Sequence, residues 1–245
     1  MSMALNSYKE RWQTALAAAH GSRLQAGAQT AGSLAEGFLA GYQLAMSRTL
    51  PLDCPDWTAL AVSEGFNDLP AVTRDGEGAL TGSKTWIPAV VDMDALIVRV
   101  GRGSDAMFLW IDLPHPACAS ELRPKEGFLD DLGLGMMHFD QLPPSGYRVL
   151  EPFPVRSFPL MEATSFFAIL LLASERLGLK LSASALAEAY AMGQASPLDI
   201  EVEEAKTFVA NTANWLQSNH EAMRQSFKGW DQDQRLVSMY AQLGA

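Results

Sequence analysis

The chain has 245 residues, 48% hydrophobic and 19% charged, which is enough to enclose a substantial apolar core. Its net charge of -10 excludes a polyanion as the main partner, because no basic run could neutralise a phosphate backbone. Cys54 and Cys118 lie far apart and fit free thiols in a reducing compartment better than a disulfide scaffold.

Residues 1–9 lack a basic region followed by an apolar core, so no leader peptide is expected. The longest apolar run, 166–173, is too short to span a bilayer. A cytoplasmic protein with neither a nucleic-acid nor a membrane partner is expected. Residues 7–19 then place Trp12, Leu16 and Ala19 at helical spacing, and Gly21 stops them. Residues 31–46 set Leu34, Phe38, Tyr42 and Ala45 on one face but also contain Gly32, Gly37 and Gly41. A glycine costs a helix up to about 1 kcal/mol against alanine, which is tolerable where another backbone packs close. A packed helical pair without chemistry of its own is predicted.

Near Pro51 the period changes. Residues 58–64, 71–74, 79–87, 95–100 and 106–113 are short and apolar, and turn residues separate them. Strands at this spacing without intervening helices predict an antiparallel barrel or sandwich. The run Gly101-Arg102-Gly103-Ser104-Asp105-Ala106 fits a dinucleotide fingerprint. The strand-like 107–111 that follows makes it a hairpin loop, since that fingerprint must open a helix.

After a Pro-rich connector at 151–159 the chain turns helical, with Pro159 suited to a first turn. Residues 160–192 lack proline and begin apolar nearly all round, as a buried helix does. Ser196-Pro197, with Asp199, Glu201, Glu203 and Glu204 behind it, starts the next helix. Gly229 breaks that helix, and a short last one carries Leu236, Met239, Tyr240 and Leu243. Three helices are too few to complete a four-helix bundle. A partner chain is therefore expected over Phe166, Phe167, Ile169, Leu170, Leu171 and Leu172.

The most informative stretch is Leu80-Thr81-Gly82-Ser83-Lys84-Thr85-Trp86-Ile87, behind an Asp75-Gly76 turn. Alternation puts Lys84 and Trp86 on one face, so Trp86 is either a half-covered surface aromatic or a wall for a flat ligand. The string resembles the Gly-x-Lys-x-Trp-Ile-Thr signature of the acyl-CoA dehydrogenase family, with Pro88 in place of the threonine. Ala61-Val62-Ser63-Glu64, Leu132-Gly133 and Phe139-Asp140-Gln141-Leu142-Pro143 resemble further stretches of that family's middle β-domain, in the same order.

The resemblance implies an α+β multidomain protein: N-terminal helices at 1–51, an antiparallel β-barrel or sandwich middle domain at 52–155, and an incomplete C-terminal helical bundle at 156–245. It implies FAD, with Trp86 against the isoalloxazine ring, Ser63 near its pyrimidine edge and Pro88 beside it. It implies α,β-dehydrogenation of an acyl-CoA or similar thioester. Glu175-Arg176-Leu177 resembles a Glu-Arg-Leu of the family's first bundle helix. This makes Glu175 the expected base, taken as buried with a raised pKa, and Arg176 the expected substrate-binding partner; a structural salt bridge is the other reading of the pair. The expected assembly is a homo-oligomer, or a hetero-oligomer with a longer dehydrogenase. The alternative is a catalytically degenerate member that binds an acyl group or partners a full-length subunit. His115 and Cys118 form a lone His-x-x-Cys pair, so no metal is expected. No Gly-x-Ser-x-Gly elbow or Walker motif occurs.

Overall fold

The computed structural model describes residues 3–50, 57–64, 69–123, 127, 129–150, 157–196 and 199–244. Cys54, the 65–68 segment, most of the Pro-rich connector and Pro197 lie outside them. The chain opens with α1 (Met3–Ala18), α2 (Arg23–Thr30) and α3 (Leu34–Thr49). Ser22 and Ser33 cap α2 and α3 by accepting from the amides of Gln25 and Glu36. The predicted pair is thus a trio. Eight-residue α2 is too short and polar to show a period.

Among the described residues eight strands follow: β1 (Thr58–Ala61), β2 (Thr73–Arg74), β3 (Leu80–Ile87), β4 (Ala95–Val100), β5 (Met107–Asp112), β6 (Cys118–Leu122), β7 (Gly135–Leu142) and β8 (Arg148–Leu150). They form two four-stranded sheets, ordered β1-β4-β5-β8 and β2-β3-β7-β6. The expectation of purely antiparallel pairing fails at β1 and β4, which run parallel from Thr58↔Ala95 to Ala61↔Val98. The chain between them crosses to the second sheet through a Ser63↔Thr85 bridge before returning, so both strands point the same way. The amide side chain of Gln43 on α3 takes the place of another strand at β1. Its Nε2 donates to Thr58 O and its Oε1 accepts from Thr58 N, both at 3.2 Å.

The rest is helical: α4 (Phe158–Arg176), α5 (Ala183–Gln194), α6 (Val202–Ser218), α7 (His220–Ser226), α8 (Trp230–Asp233) and α9 (Arg235–Ala241). The single helix expected over 160–192 is two. It breaks at Gly178, whose φ of +91° a side chain rarely adopts. Helix α4 has the length and apolarity of a membrane span, yet it is the core helix here and 78% of that window is buried. Helices α2, α3, α5 and α6 pack around it. The N-terminal helices thus supply the sides that the C-terminal ones leave open. Phe166, Phe167, Ile169 and Leu170 are fully buried within one chain, and Leu171 and Leu172 nearly so, so their burial does not itself call for a partner chain.

Two glycines make the contact possible. A Cβ on Gly41 would lie 2.5 Å from the Phe166 Cα, and one on Gly37 would lie 2.8 Å from a Leu170 methyl. Arg176 locks the arrangement. Its Nε donates to Ala28 O (2.9 Å) and its Nη2 to Ala31 O (2.6 Å), satisfying carbonyls at the end of α2. Arg48 does the same for α5, donating to Ala195 O and to Ser165 Oγ. Burial lowers its pKa to about 10.

Candidate active site

A cavity of about 630 Å3 lies where α3, the ends of β1 and β3, β4, α4 and α9 meet. This is within the roughly 300–1,000 Å3 usual for small-molecule sites. Its walls are mostly apolar and aromatic, including Phe38, Leu60, Phe158 and Met239. Ser63, Trp86 and Pro88, singled out by the sequence, all line it.

Alternation breaks at Trp86. The β3–β7 register shifts between Lys84 and Ile87, and Trp86 sits in the left-handed region with φ +60°. Such a conformation costs a non-glycine residue about 1–3 kcal/mol and is found where a site requires it. As a result Lys84 is fully buried, while Trp86 is 44% exposed. Lys84 donates to the Glu64 carboxylate. Desolvation lowers the Lys84 pKa, and Glu64 opposes that shift. The Trp86 ring carries the Arg123 guanidinium 3.9 Å from its centroid, a cation–π contact. The exposed ring is therefore half covered by Arg123 and lines the cavity.

Arg99 enters the same cavity from β4. Its Nη2 donates to Val62 O at 3.3 Å, and its buried Nε has no partner among the described residues.

On the helical side the cavity holds Glu162, in the first turns of α4, with Tyr240 from α9 and Tyr42 from α3. Burial pushes the Glu162 carboxyl up to about 7, and a hydrogen bond from the Tyr240 hydroxyl offsets part of that rise. The Tyr240 ring is clamped by Phe38, Phe166 and Phe167 at centroid distances of 6.5, 5.4 and 6.4 Å. The Tyr42 hydroxyl accepts from Leu60 N, which ties α3 to β1 at the cavity edge. A carboxyl poised near 7 in an apolar cavity is able to accept a proton from a bound ligand.

Glu175 and Arg176 are not brought to this cavity. Glu175 is exposed in the last turn of α4, against the expectation of a buried carboxylate, and lines a separate polar depression with Gln25, Gln29 and Tyr190. Arg176 lines that depression too and is occupied with the α2 carbonyls. Helix α4 is buried only up to Ser174, so its end faces solvent. Glu162, Arg99 and Tyr240 were missed. The signal for the first two was available: Glu162 is a lone charge in the apolar first half of α4, and Arg99 is the lone charge in Ala-Leu-Ile-Val-Arg-Val.

A Ser83–His138–Glu121 row crosses the second sheet, with contacts of 2.8 and 3.2 Å. It is not built as a nucleophile. Ser83 is buried and its amide is spent on Pro70 O, so neither a substrate carbonyl nor an oxyanion has room. Among the described residues no group of three or more His, Cys, Asp or Glu side chains could hold a metal ion.

No protein-family model and no curated protein matches the sequence. Solved structures do match the fold. A crystal structure described as an FAD-dependent dehydrogenase is 14% identical at a TM-score of 0.58, covering 90% of this chain and 77% of its own. PigA with FAD and proline is 14% identical at 0.54, covering 89% and 74%. A Mycobacterium smegmatis structure assigned as an acyl-CoA dehydrogenase is 12% identical at 0.53, covering 86% and 78%. The chain therefore has an acyl-CoA dehydrogenase-like fold, and two of these three neighbours are described with FAD. Among the lining residues, the half-exposed Trp86 indole, Ser63 and Arg99 are the groups a flat heteroaromatic ring could meet.

Proposed function

We propose that this chain is a flavin-dependent dehydrogenase that oxidises an acyl thioester, acyl-CoA or a relative of it, with Glu162 as the proton acceptor. The observation that carries the reading is the single cavity holding both the Trp86–Ser63–Pro88 wall and a carboxyl with its pKa pushed to about 7. Trp86, Ser63 and Pro88 would hold FAD, which when bound supplies the hydride acceptor that side chains lack. Glu162 would take the proton from the carbon next to the thioester carbonyl. Its buried setting raises its basicity relative to an ordinary carboxylate. The Tyr240 hydroxyl orients that carboxyl, and the aromatic walls keep water from competing for it. The role expected of Glu175 passes to Glu162, because only Glu162 faces the cavity.

A second reading is a degenerate partner subunit that binds the acyl group alone. Two observations favour it. Pro88 has neither an amide hydrogen nor a hydroxyl to offer a ring, and Arg123 already lies over the Trp86 ring. Titration of the purified protein with FAD, with and without acyl-CoA, separates the readings. Stoichiometric FAD binding, bleached by acyl-CoA in the wild type but not in Glu162→Gln, supports the enzyme. Retention of acyl-CoA without FAD binding refutes it in favour of the partner role.

A further inference from the structure

We infer that Arg99 forms an anion-recognition subsite in the cavity, built to hold a planar, electron-rich edge with two adjacent acceptor atoms. The cavity needs such an occupant because a guanidinium is charged at every physiological pH and is rarely left buried without a partner. Arg99 is half-buried, lines the cavity, and makes a single 3.3 Å bond to Val62 O. Its Nε is buried and unbonded, and among the described residues no carboxylate pairs with it. Glu64, which follows Ser63 in the chain, is already spoken for: it accepts from buried Lys84 and has Arg102 at 3.9 Å. Arg99 and Arg102 both lower the Lys84 pKa, so three cations lie close together behind this wall. That local excess of positive charge stands out in a chain of net charge -10.

A purely structural arginine looks different in this fold. Arg48 spends three guanidinium nitrogens and Arg176 two on acceptors at helix ends or on a neighbouring side chain. Arg99 spends one, on Val62 O, and lines a cavity of ligand size. A guanidinium fork matches a planar pair of acceptors better than any other side chain. Two ligands offer that edge: the carboxylate of a small acid, and the N1–C2=O edge of a flavin ring. The inference goes beyond the proposed dehydrogenation, because the subsite stands even if the cavity takes no flavin.

The test compares wild type, Arg99→Met and Arg99→Lys. The melting temperature of the ligand-free protein is measured first. Calorimetric titration then follows with FAD, and separately with hexanoate and 1-hexanol, which differ only in the head group. An unpaired buried charge held for a ligand predicts that R99M melts at the same temperature or higher. It also predicts a loss of at least about tenfold in affinity for FAD, or of the preference for hexanoate over hexanol. R99K keeps the charge but loses the fork, and it should lose most of the same affinity. An FAD effect assigns the flavin edge, and a hexanoate effect assigns a carboxylate. Melting of R99M lower by more than about 4 °C would show a structural arginine and overturn the inference. So would unchanged affinity for every probe in both variants, or no binding of any probe to the wild type. Wild-type protein that ignores FAD but prefers hexanoate through Arg99 sinks the flavin reading and leaves the subsite standing. Tight FAD binding that is indifferent to Arg99, with no hexanoate preference, does the reverse.

Discussion

Replacing Glu162 by glutamine should make the protein more stable, and increasingly so as pH rises. The wild-type carboxyl titrates near 7 in the folded state against 4.5 ordinarily, chiefly because burial penalises its charge. At about 1.4 kcal/mol per tenfold in proton affinity, that gap is worth about 3 kcal/mol. The sign follows from which state holds the proton. Below 4.5 both states are protonated and the site costs nothing. Between 4.5 and 7 the unfolded chain releases its proton first, so stability falls as pH rises. Above 7 the whole penalty is present. Glutamine never ionises, and its amide oxygen still accepts from the Tyr240 hydroxyl. Urea denaturation should therefore show E162Q ahead by about 1 kcal/mol at pH 5.5 and by about 3 kcal/mol at pH 8.5. Asp92 and Asp233, both raised mainly by burial, tilt the pH dependence the same way but are common to both proteins and cancel. An E162Q advantage that is equal at both pH values, or absent, would mean the carboxyl is solvated and not poised as argued.

Three further outcomes follow from the packing. Gly41→Ala should force α3 and α4 apart, because its Cβ would meet the Phe166 backbone at 2.5 Å; urea denaturation should show a loss of about 1–3 kcal/mol or more. Glu175→Gln should change stability by no more than about 0.5 kcal/mol, since the side chain is exposed, and should leave any turnover intact. Asp233→Ala should free the Leu129 amide, which now donates to that buried carboxylate at 2.7 Å. Leu129 lines the cavity, so hydrogen exchange at its amide should speed up along with a stability loss of about 1–3 kcal/mol.

Much of this was legible in the residues. The change of period near Pro51 marks where strands begin, and β4 falls on the residues predicted for it. Trp86 and Pro88 were readable together because one local string carries them, and Ser63 because a second stretch of the same resemblance does. The parallel β1–β4 pair was not, since strand direction depends on where the intervening chain travels and not on its periodicity. Glu175 misled for a related reason. An apolar run followed by Glu-Arg reads as continuous burial, whereas cover from neighbouring helices ends at Ser174. The opposite pole of the cavity needed three distant segments, Tyr42, Glu162 and Tyr240, and no sequence window contains more than one of them.

The helical core that encloses α4 is assembled from two ends of the chain. Ala28 and Arg176, which bond directly, are 148 residues apart. A ribosome making this protein releases α2 and α3 with their apolar sides bare long before α4 exists. The whole β region must be synthesised while those surfaces wait. Closing so long a loop is slow, and surfaces exposed meanwhile are prone to aggregate. Expression yield should therefore depend on holdase chaperones and on growth temperature more steeply than the stability of the finished protein would suggest. Fragments cut between the β region and α4 should prove insoluble.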